Sequence, residues 1–173
     1  MGPKLPSFVG MKKDKPVKSI IGRREMVDFP DLELYDIEAK VDTGAYTSSI
    51  HCNNIREVDL PNGQRAIHFE LLDANHPAYN HKAFQFTDFD LRIVKSSFGD
   101  VQERYVIRTK VLINGLEVET EFSLSDRSDL KYPVLLGRTL LRRRFIVDVS
   151  KKYLSLKAKN KSKKSNTPKN SPL

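Results

Sequence analysis

Ala39-Lys40-Val41-Asp42-Thr43-Gly44-Ala45 is the stretch on which the reading of the fold turns. An apolar strand delivers a carboxylate, and Thr, Gly and a small residue follow at once. Gly opens backbone conformations closed to other residues and lets a second chain segment come close, while Thr can hydrogen-bond across such a gap. Alone, Asp42-Thr43-Gly44 is a short pattern, and an Asp in a turn that accepts local backbone amides is the bland alternative. A second element far downstream changes the balance. Tyr132-Pro133-Val134-Leu135-Leu136-Gly137-Arg138-Thr139-Leu140-Leu141 is an apolar run that ends in a Gly, suited to packing closely behind the first loop.

Working outward, the chain reads as short β-branched, aromatic and alternating runs punctuated by turn residues, so strands are expected throughout. Ser19 to Val27 and Leu32 to Val41 form one expected pair, joined by Phe29-Pro30-Asp31. Ser48 to Asp59 and Gln64 to Leu72 form another across Pro61-Asn62-Gly63. A polar loop covers Asp73 to Lys82, and Ala83 to Val94 and Val101 to Ile113 follow. Asn114-Gly115 tolerates positive φ at both turn positions and so forms a tight hairpin into Leu116 to Ser123. Arg138 to Arg144 is expected to make one to two helical turns, with Phe145 to Val149 and Tyr153 to Leu156 as last short strands. The expectation is one all-β domain over 18–156, a flexible lead over 1–17 and a Lys-rich disordered tail over 157–173.

Asp42-Thr43-Gly44-Ala45 together with Leu136-Gly137-Arg138 resembles the retropepsin pattern, in which the second apolar strand threads behind a catalytic loop. Ile21-Gly22-Arg23-Arg24-Glu25, Thr47-Ser48-Ser49-Ile50-His51 and Ser125-Asp126-Arg127 extend the likeness. Together they are similar to the bacterial retropepsin-like aspartic peptidases labelled ATP-dependent zinc proteases and linked to enzymes that modify ribosomal proteins. The resemblance implies an acid-protease half-barrel with Asp42 as the catalytic residue, Thr43, Gly44 and Ala45 as its loop, and Leu136, Gly137 and Arg138 as structural support. It also implies a peptide or protein substrate. One motif per chain supplies half a site, so a homodimer is implied, with two Asp42 carboxyls sharing a proton because both cannot ionise at about 3 Å. Viral retropepsins carry at position 46 an Asp that pairs with the Arg of the Gly-Arg segment. Here that position is Tyr46, and Arg138 must find another partner.

Charge and composition narrow the alternatives. The net charge of +8 is local: eight of the 30 basic side chains lie in 151–173, leaving 22 against the 22 acidic ones. The folded part is formally neutral, so nucleic acid is not the expected partner, although a basic-tailed nucleic-acid-associated protein is one alternative function and a non-catalytic peptide-binding or dimerisation module is another. No apolar run approaches the roughly 20 residues of a membrane span, no secretory h-region is visible at the N-terminus, and one cysteine fits a reducing compartment. The expected location is cytoplasmic, without membrane insertion.

Neither half of the "ATP-dependent zinc" label has support in the residues. No Gly-x-x-x-x-Gly-Lys loop is present, and His51, Cys52, His76 and His81 lack metal-ligand spacing, so no cofactor and no metal are expected. His51 and Cys52 are neighbours on a strand and point to opposite faces, which argues against a thiol nucleophile. The long interval between the two motifs leaves room for extra strands or an elaborated flap. Ser97, Phe98 and Gly99 are candidates for its tip, an ordinary hairpin turn being the equal alternative.

Overall fold

The computed structural model describes residues 16–95 and 99–165. The strands are β1 Ser19–Gly22, β2 Arg24–Phe29, β3 Leu34–Val41, β4 Ser48–Asp59, β5 Arg65–Leu71, β6 Ala83–Phe86, β7 Phe89–Lys95, β8 Val101–Ile113, β9 Leu116–Ser125, β10 Val134–Leu136 and β11 Phe145–Asp148. Helix α1 is Arg138–Leu141 and helix α2 is Leu154–Ser165, with a 3-10 turn at Pro30–Leu32. The fold is all-β and retropepsin-like.

Hydrogen bonding runs in the order β10-β3-β2-β8-β9-β4, and β10 also pairs with β4, so these six strands close on themselves. Only three residues of β10 make that closure. They run parallel to β3, with Val134 opposite Ala39 and Leu136 opposite Val41, and antiparallel to β4, with Val134 opposite Ile50. Hydrophobic residues on alternate strand positions fill the ring, among them the fully buried Ile37, Ile50, Ile107, Phe122 and Leu136, and Phe29 meets Phe122 edge to face at 5.2 Å. Each such side chain contributes about 1.5–3 kcal/mol by leaving water. Outside the ring, β5 and β6 extend from β4, and β7 pairs with β8 along its whole length.

Several expected elements differ in detail. Ser19 to Val27 is two strands: β1 leaves the ring and pairs in parallel with β11, Ser19 opposite Phe145. Ala83 to Val94 is likewise two strands, β6 and β7, serving different neighbours.

The larger correction concerns the C-terminus, where a last strand and a disordered tail were expected. Tyr153 instead takes a left-handed φ of 56° and launches α2, which runs to Ser165. This helix is held by partners remote in sequence. The fully buried carboxylate of Glu25 accepts the Leu154 and Ser155 amides at 3.2 and 2.8 Å and the Ser155 hydroxyl at 2.7 Å, and also takes the Gly22 amide at 2.6 Å. It serves as a helix cap borrowed from β2. One turn on, Lys159 Nζ donates to Asp28 Oδ2 at 2.9 Å and to Asp36 Oδ1 at 2.8 Å. Part of the Lys-rich segment therefore belongs to the fold, and residues 166–173 lie outside the described residues.

Candidate active site

The carboxylate of Asp42 stands where β3 ends. Its own amide donates to Leu136 O at 3.0 Å, prolonging the β3–β10 ladder by one step. Its Oδ1 accepts the Gly44 and Ala45 amides at 2.9 and 3.2 Å, so the loop curls back on the acid. Among the described residues no donor engages Oδ2. The side chain is partly exposed, and Thr43 and Gly44 are exposed beside it.

The Gly-Arg segment straps this loop in place. A Cβ on Gly137 would lie 2.7 Å from the Thr47 carbonyl carbon and 3.0 Å from Ala45 O, so only Gly lets the backbones approach this closely. The Gly137 amide donates to Ser48 Oγ at 3.0 Å, while the Arg138 and Thr139 amides donate to the carbonyls of Ala45 at 2.9 Å and Tyr46 at 3.0 Å. Leu136 is fully buried beneath the loop. Asp42, Thr43, Gly44, Ala45, Leu136, Gly137 and Arg138, distant in sequence, thus form one unit.

Arg138 finds its partners within the chain. The guanidinium donates to Gly44 O at 3.2 Å and Thr43 O at 3.4 Å and lies 5.7 Å from the centre of the Tyr46 ring. The aromatic face takes the place of a carboxylate, a cation–π contact worth about 0.5–1 kcal/mol at an exposed site.

The residues weighed as metal ligands go separate ways. His51 is buried; its Nδ1 accepts the Arg127 amide at 2.8 Å, leaving Nε2 3.1 Å from Asp73 Oδ2. The imidazole therefore stitches the 126–133 loop to the 73–82 loop. Cys52 faces the core, where burial, with a smaller effect from Asp126, pushes its thiol up to about 12. His76 Nδ1 accepts the Ala78 amide at 3.1 Å, and His81 packs on Tyr79. Among the described residues no three His, Cys, Asp or Glu side chains converge to hold a metal. Of the expected flap tip, Ser97 and Phe98 lie outside the described residues, and Gly99 takes a φ of 89° just before β8.

The residue reading gave no role to Arg127. Its Nη1 donates to Ser49 Oγ at 3.3 Å and its Nε to Tyr132 O at 3.2 Å. Burial, then the nearby Arg104, lowers its pKa, and the Asp42 carboxylate acts the other way. A half-buried guanidinium bonded, among the described residues, only to neutral acceptors is thus electrostatically coupled to Asp42. Its place in Ser125-Asp126-Arg127 was the one available signal.

A sequence model of the RimB-like family, described as retropepsin-like aspartic endopeptidase RimB, matches residues 20–158, which takes in the loop, its strap and the start of α2. The chain belongs to the RimB-like family. Relatives outside that description carry another name. Proteins named "Probable alpha-L-glutamate ligase" from Shewanella halifaxensis and Desulfotalea psychrophila are each 37% identical to it, over 79% and 76% of the chain. The RimB-like chain spans only 30% and 28% of those two proteins. A crystal structure of a Legionella pneumophila protein of unknown function superposes with a TM-score of 0.59 at 23% identity, covering 80% of this chain and 99% of that one, a likeness of fold.

Proposed function

We propose that the chain is an aspartic endopeptidase whose catalytic pair is Asp42 from each of two copies. The observation that carries this reading is the presentation of Asp42: Oδ1 is held by two loop amides, Oδ2 is unengaged among the described residues, and Gly137 and Arg138 brace the loop from behind. Exposed Thr43, without a side-chain partner among the described residues, is available to the second copy.

In the assembled pair, two carboxyls at close range share one proton and titrate as a unit. The ionised member takes a proton from a water between them. That water attacks the scissile carbonyl, which the protonated member polarises by hydrogen bonding, and the tetrahedral diol collapses as the leaving nitrogen is protonated. No covalent enzyme intermediate forms. The ligase name of the relatives, together with Arg127 bonded only to neutral acceptors, supports glutamate-bearing peptides as the substrate class. Location in the cytoplasm is part of the same proposal; among the described residues no helix is long and apolar enough to cross a membrane.

The test is Asp42→Asn assayed on an oligoglutamate-tailed peptide. Cleavage should fall by roughly 10²–10⁴-fold with the association state unchanged, and wild-type specific activity should drop on dilution through the dimer dissociation constant. Equal cleavage by both proteins would overturn the assignment. A second reading, a non-catalytic peptide-binding or dimerisation module, is favoured by the short share of the ligase-named relatives that the chain spans. Peptide binding without cleavage by either protein would support it.

A further inference from the structure

Strand β9 pairs with β8 from Leu116 to Ser123 and with β4 from Phe122 to Ser125, and then stops. Its last pairings put Ser125 opposite His51 of β4 and Ser123 opposite Val106 of β8, and the chain turns away at Asp126. Beyond that point β4 bends at Asn54, which has a left-handed φ of 53°, and continues paired with β5. The wedge left between the strands is a groove of about 650 Å³. Four successive residues of β4, Cys52 to Ile55, form one wall; four of β8, Gln102 to Tyr105, form the other; Leu124 to Asp126 close the end. Among the described residues, Val101 to Tyr105 pair only with β7, so the other edge of β8 carries no strand.

Three buried polar atoms on these walls make no hydrogen bond among the described residues: Asn53 Oδ1, Arg104 Nε and Ser125 Oγ. Buried groups of this kind are ordinarily paired, and leaving them unpaired is costly. Their sources are independent, one on each of the three strands that meet here. Asn53 is otherwise engaged only through its amide nitrogen, which donates to Leu72 O. Among the described residues Arg104 has no carboxylate partner, its Nη2 donating to Gln102 Oε1 at 3.1 Å.

The complement is specific. An anion alone would satisfy Arg104 and Ser125 but would leave the Asn53 oxygen, which only accepts, without a donor. A peptide main chain offers carbonyls to Arg104 and Ser125 and an amide N–H to Asn53, in the shape of the strand that β9 ceases to supply. Exposed Glu103 and Asp126 on the rim oppose a polyanion such as nucleic acid or an oligoglutamate run. We infer that this groove is a docking slot for an extended, uncharged peptide segment of another polypeptide, added between β4 and β8 and read through its main chain. Asn53 lies five residues along β4 from Ser48, roughly 16 Å from the Asp42 loop at the rise of a strand, so the slot is separate from the candidate catalytic pair and does not depend on cleavage.

The full chain is mixed with a fluorescein-labelled octapeptide of alternating Thr and Val, and binding is read by anisotropy and hydrogen exchange. Exchange should slow at Asn53 to Ile55 and Gln102 to Tyr105. Arg104→Gln and Ser125→Ala, with unchanged melting temperatures, should each weaken binding by about threefold to tenfold. The same peptide N-methylated at alternate residues should not bind, and Asp42→Asn should leave binding as it was. Four results would overturn the slot: no binding at millimolar peptide, equal binding by the N-methylated peptide, protection confined to the Asp42 loop, or slot protection that grows with protein concentration without peptide, which would assign it to a second copy.

Discussion

At the scale of single residues, the site depends on one hydrogen atom at position 137. Adding a methyl there places a carbon 2.7 Å from the Thr47 backbone, which cannot yield without moving the loop. Gly137→Ala should therefore lower stability by about 1–3 kcal/mol and reduce the proposed peptidase activity further than the stability loss accounts for, measured by urea unfolding beside the cleavage assay. Cys52 supplies a second check. With its thiol pushed up to about 12, it should resist iodoacetamide at pH 8 in the native protein and react within minutes once unfolded; rapid native labelling would show that the core here is open. That Asp42, Gly137 and Arg138 come together was legible because it is written in residue type and order. The cation–π partner of Arg138 was not, since nothing in a Tyr at position 46 announces which cation will lie over its ring. Arg127 escaped for the same reason: its significance is its proximity to Asp42, a property of the folded chain.

At the scale of elements, α2 and β7 are each held by charges from other strands. Removing the Glu25 carboxylate takes their acceptor from three backbone amides, those of Gly22, Leu154 and Ser155, while the Ser155 hydroxyl keeps Met26 O at 2.7 Å. Glu25→Ala should cost about 3 kcal/mol or more, and a chain ending at Lys152 should lose comparable stability. This is why the helix was invisible in sequence: a run of Lys and Ser has little helical periodicity of its own, and its cap lies on β2. On the other side, Arg92 of β7 reaches across β8 to hold Glu121 of β9 through two bonds at 2.7 and 2.9 Å. The Arg92 bonds are the main reason that the Glu121 pKa sits below its ordinary 4.5. A lowered carboxylate stabilises above its unfolded pKa and loses that contribution as pH falls through its folded one. Amide exchange in β7, corrected for intrinsic rate, should accelerate below about pH 4.5, and Arg92→Gln should abolish that dependence.

At the scale of the whole molecule, the strand pattern and hairpin turns made the all-β class readable, because alternation and Asn-Gly turns are local. The closure of the ring was not readable from any window, because it rests on three residues of β10 inserted between two strands of the first half. That insertion sets an order in time. Contacts that brace the Asp42 loop span 89 residues from Gly137 to Ser48 and 94 from Arg138 to Gly44, so they form only after nearly the whole domain has been made. Non-local closure of this kind is slow. A nascent chain halted at Ser125 carries every residue of the Asp42 loop and none of its brace, so it should neither pair with a second copy nor cut. On the proposed peptidase reading, the short strand is a timing device: the loop would stay harmless on the ribosome and be completed only after the chain has passed Thr139.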